Sequence, residues 1–222
     1  MKILLLALLV LACGQSQAID WPDDGGYRPE LVKCDNPNQV SYSGFTIKGC
    51  YDSNRILIMG NGTNAPCGFY REAQLSAARR GYLTICPETG RTRDGEKMVD
   101  AFNYLRDKGS NAEYVLLSGH SQGASSSFSA AYKLQRRYPY LTVDVLGIYP
   151  YFWAFYDREL YNRIPKVKGR KIVLRGTRDT TSTLDIVMRG YRLIEEPKRL
   201  IEVPKGHLDF NPEYANMIKL FD

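Results

Sequence analysis

Between the apolar run Tyr114-Val115-Leu116-Leu117 and a long helical stretch beginning at Ala124 stands the pentapeptide Gly119-His120-Ser121-Gln122-Gly123. Strand, glycine-flanked serine and helix in immediate succession leave few folds open. A serine in that turn is forced into an exposed, strained position, and the two glycines let neighbouring backbone pass close to it. The turn also aims the first amides of the following helix at the place where negative charge would develop in a reaction at Ser121. Alone the pentapeptide is weak, since Gly and Ser are common; its flanks give it weight.

The rest of the chain alternates in the same rhythm. Strands are expected at Phe45–Tyr51, Ile56–Met59, Tyr82–Cys86, Tyr114–Ser118, Val143–Tyr149, Lys171–Arg175 and Arg199–Val203. Helices are expected at Phe69–Arg80, Gly95–Lys108, Gln122–Arg137, Ser182–Leu193 and Pro212–Leu220, with Gly81, Gly109 and Pro139 as stops. Such alternation predicts an α/β fold with a mostly parallel, doubly wound sheet and helices on both faces. Function then gathers at the carboxyl ends of the strands. Four segments fall there: Gly60–Asn64, the Ser121 turn, Tyr149–Tyr156 and Gly176–Thr180. The gap from Tyr149 to Lys171 is too short for a large separate lid.

The amino end differs from the rest. Lys2 precedes an apolar run from Ile3 to Ala12, then small and polar residues to Ala18. This is the pattern of a secretory leader cleaved after Ala18, leaving one domain over 19–222, and the run is too short to span a bilayer. Val10-Leu11-Ala12-Cys13 is a loose lipoprotein site, with anchoring through Cys13 as the alternative, although Leu11 fits it poorly. Without the leader four cysteines remain, Cys34, Cys50, Cys67 and Cys86, and an exported chain would pair them. Three connectivities are open, of which Cys34–Cys50 with Cys67–Cys86 is preferred. No C-x-x-C spacing and only two histidines argue against a metal site.

The formal charge of +6 is spread over Arg79-Arg80, Arg136-Arg137 and Lys166–Lys171, which reads as a solvated surface with nothing resembling a nucleic-acid reader. No cofactor is implied, and a monomer is expected.

A reactive serine needs a base, and the choice lies between His120 and His207. His120 adjoins the serine within a tight turn and cannot easily reach it in line. His207 follows the last strand in a loop returning to the same sheet edge, so it is the expected general base. Asp179, in Gly176-Thr177-Arg178-Asp179 after the preceding strand, is the expected carboxylate partner, ahead of Asp157, Asp185 and Asp209. The order Ser121, Asp179, His207 suits this architecture. Two amides are needed for an oxyanion: that of Gln122, and one from Gly60-Asn61-Gly62-Thr63, with Thr63 preferred and its neighbours open. Asn61-Gly62-Thr63 is also a glycosylation sequon, expected to stay unoccupied because a glycan there would cover the site.

These residues together resemble the α/β-hydrolases, and within them the dienelactone-hydrolase-like, chlorophyllase and cutinase-like polyester hydrolase group. The resemblance covers Ile56 to the carboxyl end and rests on Asn61-Gly62-Thr63 followed by Phe69-Tyr70, Arg80-Gly81-Tyr82, Gly119–Gly123, Gly176–Asp179 and Gly206-His207. It implies a carboxylic-ester hydrolase working through an acyl-enzyme, exported as the leader indicates, with Ser121, Asp179 and His207 as triad and Gln122 and Thr63 as oxyanion donors. The aromatic run Tyr149-Pro150-Tyr151-Phe152-Trp153 lies at the functional edge, so some of its rings should wall an acyl pocket. The resemblance assigns substrate contact to Trp153; Tyr151 and Phe152 are further candidates. A serine peptidase, an acyltransferase and a catalytically silent binding protein are the rival readings.

Overall fold

The computed structural model describes residues 39–42, 45–50, 52–89, 94–153 and 158–222. The leader, Cys13, Cys34 and Asp157 lie outside these residues. The strands are β1 (Gln39–Tyr42), β2 (Phe45–Lys48), β3 (Arg55–Gly60), β4 (Tyr82–Pro87), β5 (Tyr114–His120), β6 (Thr142–Ile148), β7 (Lys171–Gly176) and β8 (Lys198–Val203). The helices are α1 (Arg71–Ala78), α2 (Glu96–Asp107), α3 (Gln122–Arg137), α4 (Arg158–Arg163), α5 (Leu184–Tyr191) and α6 (Asn211–Ile218).

The strands form one sheet in the order β1-β2-β4-β3-β5-β6-β7-β8. The pairs β1/β2 and β2/β4 are antiparallel and all others parallel. Parallel strands covered on both faces read as continuous apolar runs, and β3 and β5 are buried at every residue. Alternate side chains enter opposite cores. Ile56, Ile58, Val115 and Leu117 pack with α2 and α3 through Met98, Phe102, Phe128 and Leu134. Leu57, Met59, Tyr114 and Leu116 pack with α1 and α6 through Ala73, Ala77, Tyr214 and Ile218.

From β3 the chain moves outward to β4, then crosses back to β5 on the other side of β3. The strand order therefore reverses between β3 and β5, the place where a doubly wound sheet opens a crevice at its carboxyl edge. The Gly60 loop and the Ser121 turn leave the sheet there.

Several expectations are refined. The short strand β1 has no counterpart among the expected strands, β5 continues through Gly119 and His120, and a 3-10 turn over Cys67–Tyr70 replaces the expected start of α1. The Tyr149–Lys171 connection contains α4. Cys67 and Cys86 form the expected disulfide. Cys50 is also disulfide-bonded, and Cys34, its expected partner, lies outside the described residues.

The solvated-surface reading fails at two residues of the Lys166–Lys171 stretch. Arg170 is buried against Asp144, whose carboxylate also accepts the Tyr114 hydroxyl at 2.8 Å, while Lys171 is buried with its ammonium on the Val167 carbonyl. Burial lowers Lys171 to about 8. The remaining charges are less scattered than the sequence suggests, since Lys133, Arg136, Arg137, Arg163 and Lys166 line one cavity of about 620 Å3.

Candidate active site

Ser121 sits between β5 and α3 with φ 56° and ψ −116°, a conformation that costs a non-glycine residue of order 1–3 kcal/mol. Close packing holds it there. A Cβ on Gly119 would overlap the backbone of Gly123 and Ala124, and one on Gly123 would overlap the carbonyls of Gly60 and Asn61. The glycines thus let the Gly60 loop cross directly over the first turn of α3. Neighbouring backbone completes the restraint: the Ser121 amide donates to Ile148 O at 2.9 Å, and the Tyr151 amide donates to Ser121 O at 3.1 Å. Ser121 is 7% exposed.

Asp179 and His207, from the loops after β7 and β8, meet at this edge. Nδ1 of His207 lies 2.7 Å from Oδ2 of Asp179. An ionised carboxylate only accepts, so Nδ1 carries the proton, and in the neutral form of the ring Nε2 keeps its lone pair. The other Asp179 oxygen accepts the amides of Thr181 and Ser182, each at 2.8 Å. Burial by itself would raise the Asp179 pKa; the hydrogen bond and charge of His207, with the two amides, outweigh it and hold the carboxyl below its usual range. The two competing acids among the described residues are engaged elsewhere: Asp185 pairs with Arg189 along α5, and Asp209 accepts the amide of Gly206. Among the described residues no hydrogen bond joins Ser121 to His207; such bonds are often long before substrate binds.

His120 is excluded as a base by its surroundings. Burial, then the nearby charge of His207, pushes its pKa down to about 3. Its Nε2 lies 2.9 Å from the backbone carbonyl of His207 and its Nδ1 lies 3.2 Å from the Tyr70 hydroxyl.

In the Gly60 loop the Gly62 amide donates to the Tyr70 hydroxyl at 2.9 Å, which removes Gly62 from the candidate oxyanion donors. Asn61 stiffens the loop: its side-chain oxygen accepts the amide and hydroxyl of Thr89, and its Nδ2 donates to Ala65 O at 3.0 Å. The Thr63 hydroxyl and the Gln122 side-chain oxygen are both buried without a protein partner.

The aromatic run divides by alternation. Tyr151 and Trp153 are half-buried and stack on one another with centroids 6.0 Å apart. Phe152 lies in the core instead, against Phe128 and over Gly190, where no Cβ would fit beside its ring. Its expected place in a substrate wall is therefore corrected: a ring buried on all sides cannot touch a ligand.

Among the described residues no group of three or more His, Cys, Asp or Glu side chains is placed to hold a metal ion, and no helix is long and apolar enough to cross a membrane.

Neither a family model nor a curated protein matches the sequence. Solved structures do match in shape. A CIB-like hydrolase of Thermoplasma acidophilum is similar with a TM-score of 0.60 at 15% identity, over 83% of this chain and 94% of that one. The esterase Pf2001 of Pyrococcus furiosus is similar with a TM-score of 0.62 at 14% identity, over 88% and 98%. Est1E of Butyrivibrio proteoclasticus has a TM-score of 0.62 at 11% identity, over 83% and 96%. At these identities the likeness is one of fold, and the fold is that of the α/β-hydrolases.

Proposed function

We propose that the chain is a serine hydrolase of carboxylic esters. The observation that carries this reading is the Asp179–His207 hydrogen bond at the sheet edge where the strained Ser121 turn emerges. In the proposed reaction Ser121 Oγ attacks the ester carbonyl carbon while His207 Nε2 takes the hydroxyl proton. Asp179 keeps Nδ1 protonated and balances the imidazolium that forms. The amides of Gln122 and Thr63 receive the oxyanion. His207 then returns the proton to the departing alcohol, leaving an acyl-Ser121 ester. A water, deprotonated by His207, attacks that ester and releases the acid, and Ser121 regains its proton. The unpartnered Thr63 hydroxyl and Gln122 side-chain oxygen support a polar occupant beside this loop crossing, because buried polar groups without partners are rare.

Apolar esters are the proposed substrates, cutinase-like in class and extending to insoluble polyesters. Tyr151 and Trp153 border the Ser121 turn through the Tyr151 amide. Three of the exposed large apolar residues, Phe69, Leu184 and Leu208, follow the carboxyl ends of β3, β7 and β8, the same edge as the triad. Export of the domain over 19–222 is supported by the disulfides at Cys67–Cys86 and Cys50, which persist in oxidising compartments, and a monomer is proposed with it.

The test is turnover of a short-chain chromogenic ester by the full chain and by Ser121→Ala, followed by a panel of soluble esters, polyester film and peptides. Loss of turnover in Ser121→Ala with esters preferred supports the proposal. Equal rates in the two proteins, or a preference for peptides, defeats it.

A further inference from the structure

The general base His207 is held by more than Asp179. Four groups, two on the connection after β3, one at the end of β5 and one on the loop after β8, form a hydrogen-bonded series whose donors and acceptors can be assigned. The His207 carbonyl only accepts, so His120 Nε2, 2.9 Å away, must carry the proton. Burial keeps the ring neutral, so Nδ1 is an acceptor. Its neighbour, the Tyr70 hydroxyl, accepts the Gly62 amide with a lone pair and gives its own proton to Nδ1. Burial pushes the Tyr70 phenol up to about 12, so that proton stays in place at working pH. The amide at one end only donates and the carbonyl at the other only accepts, and no other assignment satisfies all four groups.

Packing fixes the same parts. Phe210, three residues after His207, stacks on His120 with centroids 4.2 Å apart and on Tyr70 with centroids 5.2 Å apart. A Cβ on Gly62 would come within 2.8 Å of His120 Nδ1, so the loop residue is seated against the ring it serves.

We infer that Tyr70 and His120 are positioning residues that lock the loop carrying His207 to the loop proposed to bind the oxyanion, so that base and oxyanion donors keep one relative geometry during turnover. The inference rests on the reading of Ser121, Asp179 and His207 as a triad. It gives the His120 position of the pentapeptide a task distinct from its neighbour's: His120 does no proton chemistry and sets the tautomer that the His207 backbone requires. Without the Tyr70 hydroxyl, only the His207 carbonyl holds that tautomer, Nδ1 is left without its donor, and the link from the ring to the Gly62 amide is broken.

The experiment compares the full chain with Tyr70→Phe, His120→Phe, His120→Gln and the double Tyr70→Phe/His120→Phe variant, on a soluble short-chain ester and by thermal unfolding. Each Phe substitution removes two hydrogen bonds of the series, which should lower kcat about 10- to 100-fold. KM should stay within about two-fold, as expected when ground-state binding is untouched. His120→Gln, whose amide can still donate to the His207 carbonyl, should recover most of the loss. The double variant should be no slower than its slower parent, since one series is broken once. A folded Tyr70→Phe with parental kcat, or His120→Gln as slow as His120→Phe, overturns the inference. If the unmutated chain cleaves no ester, the proposed activity fails, and the inference is judged instead on the low-field NMR signal of the His207 Nδ1 proton. That signal should be sharp in the parent, broadened by solvent exchange in Tyr70→Phe and His120→Phe, and sharp again in His120→Gln. Equal sharpness in all four overturns it.

Discussion

Asp179 Oδ2 and His207 Nδ1 lie 2.7 Å apart, joining the loops after β7 and β8 by a bond that leaves Nε2 free to act as a base. Asparagine at 179 presents either an amide nitrogen or an amide oxygen to that ring. The amides of Thr181 and Ser182 claim the oxygen at the other position, so the NH2 group turns toward His207 and favours the tautomer with Nδ1 unprotonated. Asp179→Asn should therefore lower ester turnover by about 10^3–10^4-fold. Its circular dichroism and thermal midpoint should stay close to the parent's, because the shape and the two local hydrogen bonds survive. Steady-state kinetics beside a melting curve checks both halves; near-normal turnover would move the acid role to another carboxylate.

A second expectation concerns pH. His120 has a folded pKa of about 3, against roughly 6.5 in an unfolded chain. Above about pH 6.5 both states are neutral and stability is unaffected. Between about pH 6.5 and 3 the unfolded chain binds a proton that the folded chain refuses, so stability falls as pH falls, by up to about 1.4 kcal/mol per pH unit. Asp179 acts in the same direction at lower pH, since its depressed carboxyl pKa makes a contribution that is lost only as pH drops through that folded value. Urea unfolding at pH 7.5, 6 and 5 should show a declining midpoint in the parent and a flatter decline in His120→Gln. Parallel declines would mean that His120 is not the group refusing the proton.

How much of this the sequence discloses follows from which signals are local. Helix α3 matches its expected limits, Gln122 to Arg137, because the glycine turn before it and Pro139 beyond it are local punctuation. The meeting of Asp179 with His207 is legible because strand-end position is fixed by topology, and each follows a strand with a clear apolar pattern. Strand β1 is not, since Gln39-Val40-Ser41-Tyr42 is four residues long and owes its pairing to β2. Arg170 and Lys171 look like surface charge because Asp144, which buries Arg170, lies 26 residues away on β6. Phe152 falls outside its expected place although a period-two pattern is available: Tyr151 and Trp153 point one way and Phe152 the other. The series from Gly62 to His207 has no sequence signature at all, because Tyr70 and His120 are 50 residues apart and meet only across the sheet edge.

The sequon at Asn61 offers a third prediction. Asn61 is 5% exposed, and its Nδ2 is committed to the Ala65 carbonyl while its oxygen holds Thr89. A glycan attached to that nitrogen would displace both partners and the crossing over Gly123. Protein exported from a glycosylating host should therefore carry no mass at Asn61 in its active, folded fraction. Intact-mass and peptide analysis of that fraction decides the point; full occupancy with retained turnover would show that the loop is not part of the site.

Leu208 follows the proposed base directly and is 76% exposed, with Phe69 and Leu184 also open to solvent at the same sheet edge. Folding gains little from a leucine left in water, so Leu208→Ser should change stability by less than about 0.5 kcal/mol. Its effect should fall on substrate choice. An apolar rim gains free energy only where the substrate presents a matching apolar surface, at about 25 cal/mol per Å2 covered. The ratio of turnover on an emulsified or film ester to turnover on a soluble short-chain ester should therefore drop several-fold in Leu208→Ser, and further when Phe69→Ser is added. An unchanged ratio in the folded double variant would assign the exposed residues no part in substrate capture and would favour small soluble esters as the substrates of the site.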